Sequence, residues 1–146
     1  MPAITHFPLA WRWTNASHAE FSPAELASLH PLPPDKAARI HDAALRFLHA
    51  GSLDPQQFER IEGQSAEVSV AQRCSWLRSR QPNLNECVTL SWQHDTALQT
   101  TWQLFTERWD DFCYPASDDV FIIPDSGAWV LLYHHADTFY FASRSA

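Results

Sequence analysis

The 146-residue sequence predicts one α+β domain spanning residues 1–146, with N-terminal helices packed on one face of a mostly antiparallel C-terminal sheet. Three observations carry that expectation. Helix caps and helical spacing mark the N-terminal part of the chain. A single apolar stripe with steps of four and three runs from Leu98 to Phe112. Apolar runs separated by turn residues fill the last third. Helices first and hairpins last is the order of an α+β domain, and the length suits one core.

Phe7, Leu9, Trp11 and Trp13 fall on every second residue, the period of a strand, and Pro8 confines it to an edge or an extended segment. Ser22, Pro23 and Glu25 form a capping box with proline in the first turn, flanked by the staple pair Phe21 and Leu26. That helix must stop by His30, before Pro31, Pro33 and Pro34. A second helix from about Pro34 aligns Ala37, Ile40, Ala44, Phe47 and Leu48, with Gly51 as its stop. Asp54–Pro55 opens a short third helix bearing Phe58 and Ile61 and ended by Gly63. Residues 65–80 read as a fourth, using Ala66, Val70, Cys74 and Leu77, although residues 67–70 also suit a strand.

The second half changes character. Val88, Leu90 and Trp92 alternate with Cys87, Thr89 and Ser91 as a half-buried strand. Asp95 is the expected cap of a long helix carrying Leu98, Trp102, Phe105, Trp109 and Phe112. Val120–Ile123 is apolar on both faces, as an inner strand is. Two strands follow, 128–134 and 138–142, set off by the turns Pro124–Gly127 and His135–Asp137.

A net charge of −7 disfavours nucleic acid and anionic membranes and favours a basic partner, although the same charge also keeps a small protein in solution. Seven tryptophans are many for one domain, so some are expected at the surface as interface anchors. Cys74, Cys87 and Cys113 show neither disulfide-framework nor metal-hook spacing. The N-terminus has no basic leader with an apolar core, and the longest apolar run, 128–133, is far too short for a bilayer. A soluble, cytoplasmic protein is expected.

Eight histidines invite a metal, but adjacent strand residues point to opposite faces, so His134 and His135 share an ion only if the strand has ended. His41 and His49 lie two helical turns apart. No metal and no cofactor are expected. Cys113 with His134 or His135 as base and Asp118 as orienter is a conceivable nucleophile, yet it follows a helix C-terminus among four aspartates, which oppose a thiolate. Asp118 and Asp119 are candidates for acid–base work; the simpler reading has one turning the backbone and the other solvated. Three glycines leave no phosphate loop, and there is no Gly-x-Ser-x-Gly elbow. No enzyme is expected.

From Glu107 to Asp125 there are six acidic residues and one basic, Arg108. Glu107, Asp110, Asp111, Asp118, Asp119 and Asp125, with Tyr114 between them, are the candidate partner-binding residues, since aromatic anchors in an acidic rim suit a basic protein. The run Trp109-Asp110-Asp111-Phe112-Cys113-Tyr114-Pro115-Ala116-Ser117-Asp118-Asp119, followed by a strand, a turn and Trp129, resembles the C-terminal part of small acidic bacterial proteins of the toxin-immunity, antitoxin-like kind. The resemblance covers about residues 109–141. It implies a non-enzymatic protein that binds and occludes a basic toxin domain, such as a nuclease. The alternative from the residues is a small hydrolase or transferase using Asp118 and Asp119 with His134 or His135.

Overall fold

The computed structural model describes residues 4–15, 17–64 and 68–144. In chain order, a 3-10 turn (Ile4–His6) is followed by α1 (Trp11–Thr14), β1 (Ala19–Glu20), α2 (Pro23–Ala27), β2 (His30–Pro31) and α3 (Pro34–Leu45). Next come β3 (Leu48–His49), β4 (Ser52–Leu53), β5 (Arg60–Gln64) and α4 (Val70–Arg80). The remainder is β6 (Cys87–Gln93), β7 (Thr96–Thr101), α5 (Trp102–Glu107), α6 (Trp109–Phe112), β8 (Val120–Pro124), β9 (Trp129–His134) and β10 (Thr138–Ser143). Seven strands form one antiparallel sheet in the order β2-β7-β6-β8-β9-β10-β5, and β3 and β4 make a separate hairpin. The α+β reading and the antiparallel C-terminal meander hold.

Strand alternation sends side chains into two cores. Val88, Leu90, Ile122, Leu131, Tyr133 and Phe139 join Trp13, Phe21, Leu77, Trp102, Phe105 and Phe112 from the helices. On the opposite face, Phe121, Val130, Leu132 and Ala142 meet Ala44, Leu53 and Phe58, with Ala97 against Ala37 and Leu32 nearby. The central strands are therefore buried on both faces, β6 included.

Several boundaries differ from the sequence expectation. Residues 7–13 form helical turns, not a strand: Phe7, Ala10 and Trp13, spaced by three, are buried, and backbone N–H groups of Ala10 and Trp13 donate to the carbonyls of Phe7 and Ala10. Trp11, in phase with a strand, is instead exposed. The α2 capping box forms as expected, Ser22 and Glu25 exchanging hydrogen bonds. α3 ends at Leu45 because Leu48 and His49 turn into the β3–β4 hairpin, where Ala50 and Gly51 take φ of 55° and 83°. The third helix is replaced by β5, whose Ile61 and Gly63 pair with Ala142 and Tyr140.

The fourth helix starts at Val70, from a capping box of Ser69 and Gln72; residues 65–67, including Ala66, lie outside the described residues. The largest correction concerns residues 95–112. Asp95 sits in the β6–β7 turn, Leu98 lies in β7, and helix begins only at Trp102, where the Thr101 hydroxyl accepts the Leu104 N–H at 3.2 Å. The threonine-rich run Thr96–Thr101 prefers the sheet, so tertiary pairing with β6 overrides the helical stripe.

Candidate functional site

One end of the sheet gathers most of the chemistry. The start of β8, the end of β9, the β6–β7 turn, α1 and the loop 113–119 meet there. The loop is held from beneath. Arg12, buried on α1, donates from Nη1 and Nη2 to the two carboxylate oxygens of Asp118 at 2.6 and 3.1 Å. Asp118 Oδ2 also accepts the Tyr114 N–H at 2.9 Å, closing the loop on itself. The Arg12 guanidinium lies 3.9 Å from the Tyr114 ring centroid, and Trp11 packs edge-on to Tyr114 at 6.0 Å and to His18 at 4.8 Å. Burial raises the Tyr114 phenol pKa above its ordinary value, with Arg12 pulling the other way and Asp111, Asp118 and Asp110 adding to the rise.

The seven expected partner-binding residues do not form one patch. Asp110 and Asp119 are exposed, and Tyr114 is half-buried. Asp118 is buried and spent on Arg12, so it offers no charge to a partner. Asp111 is half-buried, 3.6 Å from Arg108, and burial first and Asp110 second raise its carboxyl pKa. Arg108, the one basic residue of the run, is engaged by Glu25 at 3.0 Å. Glu107 is exposed but faces a shallow hollow shared with Ala24, Glu25 and Ser28. Asp125 lies beyond the far end of β8, about 20 Å of extended chain from Asp119.

Cys113 is fully buried, and burial first, with Asp118 second, pushes its thiol pKa well up, which opposes nucleophilic use. The two aspartates divide as their loop composition suggests, Asp118 organising backbone and Asp119 exposed.

Asp119 instead pairs with β9. Val120 stands opposite Tyr133, so the next register position sets Asp119 beside His134, on the same face as Phe121 and Leu132. The strand ends at His134, which frees His135 from alternation; the two imidazole centroids lie 4.1 Å apart with the rings tilted by 31°. His135 Nδ1 lies 3.0 Å from Asp119 Oδ1, which also accepts the His135 N–H at 2.9 Å. Buried Arg73 holds the turn that follows, donating to Asp137 Oδ1 at 2.9 Å and to its carbonyl, while Tyr133 Oη donates to the same carboxylate at 2.7 Å. Next to these groups a groove of about 500 Å³ runs between α3 and the sheet, lined by His41, Leu45, Trp92, Phe121 and Leu132 with Asp119, His134 and His135 at its end.

Sequence reasoning missed Arg12, because its partner is remote in sequence and nothing in Trp11-Arg12-Trp13 announces it. It also missed His41 as a groove residue; spacing along the chain sets it only against His49, which is too distant, whereas its neighbours are Ser91 on β6 and His94 in the β6–β7 turn.

Compared with protein-family models, curated proteins and solved structures, the chain matches none. No described helix is long and apolar enough to cross a membrane.

Proposed function

We propose that this chain is a non-enzymatic binding protein of the immunity type, which docks an acidic, aromatic end of its sheet on a basic partner domain and occludes it. A nuclease-like toxin is the partner class that the charge favours. The observation that carries the reading is Trp11, 43% exposed, paired with Tyr114 over the buried Arg12–Asp118 ion pair, with Asp110 and Asp119 exposed nearby. Trp and Tyr anchors held rigid before binding lose little entropy when a partner arrives. Surrounding carboxylates speed encounter with a cationic surface. Free thiols at Cys74, Cys87 and Cys113 support a reducing compartment, hence the cytoplasm.

The test is protection. A basic toxin domain, sought first among the products of neighbouring genes, is expressed in cells with wild type, Trp11→Ala or Asp110→Lys. Rescue by wild type that fails in the variants supports docking through this surface; equal rescue by all three places the interface elsewhere.

A second reading, a small hydrolase or transferase, draws on the Asp119–His135 contact at the mouth of the groove. Asp118 drops out of that chemistry because Arg12 holds it. Turnover of ester or phosphoester probes abolished by His135→Ala would favour the enzyme over the binding protein.

A further inference from the structure

We infer that Asp119, His134 and His135 form a binding site for a divalent transition metal of the zinc class, opening on the groove between α3 and the sheet. The sequence argument against such a site rested on strand alternation, and alternation stops where the site begins. His134 is the last residue of β9, and His135 has entered the turn. One ligand atom from each of the three side chains falls within 4.8 Å of the others. Ligands at about 2.1 Å from zinc stand roughly 3.4 Å apart in a tetrahedron, so closure asks only small rotations of exposed or half-exposed side chains. The His135–Asp119 separation, 3.0 to 3.3 Å, already has that scale.

The backbone arranges the ligands before an ion arrives. The His135 N–H holds Asp119 Oδ1, and the Ala136 N–H donates to His134 Nδ1 at 3.1 Å. That second bond occupies the Nδ1 lone pair and places the His134 proton on Nε2, so ligation proceeds through Nδ1 in place of the Ala136 contact, or through Nε2 once the ring proton has moved to Nδ1. Likewise the ion takes the position of whatever proton now bridges His135 Nδ1 and Asp119. The two turns that meet here are tied together, the Ala116 N–H donating to the His135 carbonyl at 2.8 Å, and Ala116 and Asp137 both take positive φ.

Two imidazoles and one carboxylate select a borderline transition ion over calcium or magnesium, which prefer all-oxygen sets. Three protein ligands leave coordination positions open, and they face a groove whose walls are Leu45, Phe121 and Leu132, with His41 opposite. A small ligand bearing one anionic or carbonyl oxygen on an apolar body suits that geometry. This site shares Asp119 with the docking surface but does not rest on docking through Trp11 and Tyr114.

The full chain, freed of any affinity tag, is titrated with zinc chloride by calorimetry and with cobalt(II) chloride by visible absorption. Wild type should bind one ion saturably, and its Tm should rise by about 5 °C or more at about one hundred times Kd. His134→Ala, His135→Ala and Asp119→Asn should each weaken binding at least about tenfold, as loss of one ligand does, with unchanged folding by circular dichroism. His41→Ala should bind as wild type does. Magnesium should give no signal. Absence of a saturable signal, or equal binding in the three ligand variants, would overturn the inference.

Discussion

Arg12 and Asp118, 106 positions apart, form a two-pronged ion pair in which both side chains are buried. This contact ties α1 to the loop before β8 and so fixes the height of Tyr114 and Trp11 above the sheet end. Removing either partner leaves a desolvated charge. Asp118→Ala should lower stability by about 3–5 kcal/mol, read from chemical denaturation, and Arg12→Ala should do the same. The double variant Arg12→Met with Asp118→Leu should regain much of the loss, since no charge is then stranded. Single losses below about 1 kcal/mol would mean that water reaches the pair.

The second core contact to test lies on α5. Trp102 is fully buried, stacks with Phe105 at 5.6 Å, meets Trp129 edge-on at 4.9 Å and donates its indole N–H to the Gln81 carbonyl at 2.7 Å. Trp102→Ala and Phe105→Ala should each cost about 3–5 kcal/mol in denaturant titrations. Trp102→Phe, which keeps part of the packing and removes the hydrogen bond to the Gln81 carbonyl, should fall between wild type and alanine. A smaller effect of Trp102→Ala than of an exposed substitution would contradict the position of α5 under the sheet.

Those residues also show where sequence could and could not be read. Ser22-Pro23-Ala24-Glu25 and the strands around Pro124–Gly127 depend on neighbours within four residues, and both form where expected. Leu98 to Phe112 has a flawless helical stripe, yet β6 recruits Thr96–Thr101 as a strand, a choice made by a partner that periodicity cannot see. β5 is similar: Gly63 looked like a stop, and it is instead the place where the Tyr140 ring crosses, 3.3 Å from where a Cβ would lie. The acidic run announced itself in sequence, and so did a division between Asp118 and Asp119, but which partners withdraw the other carboxylates did not. Arg12 removes Asp118 from the surface, Arg108 occupies Asp111, and the length of β8 carries Asp125 away. The strand end at His134 and the turn at His135 were legible, but the approach of Asp119 to both imidazoles depended on the β8–β9 register, which spacing along one strand does not show.

His41 provides a pH dependence with a definite sign. Burial first and the nearby His94 second hold its imidazole below the ordinary pKa of 6.5, against the pull of Asp42. In the unfolded chain it titrates near 6.5. Between the lowered folded value and 6.5 the unfolded state therefore binds more protons, so stability rises with pH across that window. This contribution is complete above about pH 6.5 and is lost as pH falls toward the folded pKa. His41→Gln, which can keep a hydrogen bond to the Ser91 hydroxyl now 3.2 Å from Nδ1, should flatten that part of the profile. Denaturation midpoints from pH 8 down to pH 5 measure it, and parallel profiles for the two proteins would show that His41 is solvated in the fold.

The docking surface is tested by contrast between residues that the sequence treated alike. Asp110→Lys changes an exposed side chain and should move stability by no more than about 0.5 kcal/mol, whereas Asp119→Lys also removes the contacts to His135 and should cost more. Both should slow association with the basic partner and flatten its salt dependence, because steering acts on the encounter. Asp125→Lys alters charge equally but at the far end of β8, so it should change association far less. Trp11→Ala should act on dissociation instead, weakening affinity by about 2 kcal/mol, roughly 30-fold, as a central aromatic anchor does. Asp118→Lys is expected to unfold the protein and says nothing about the interface. Surface-plasmon kinetics at two salt concentrations separate these effects. If Asp125→Lys slows association as much as Asp110→Lys, binding responds to net charge alone and the sheet end around Tyr114 is not the contact.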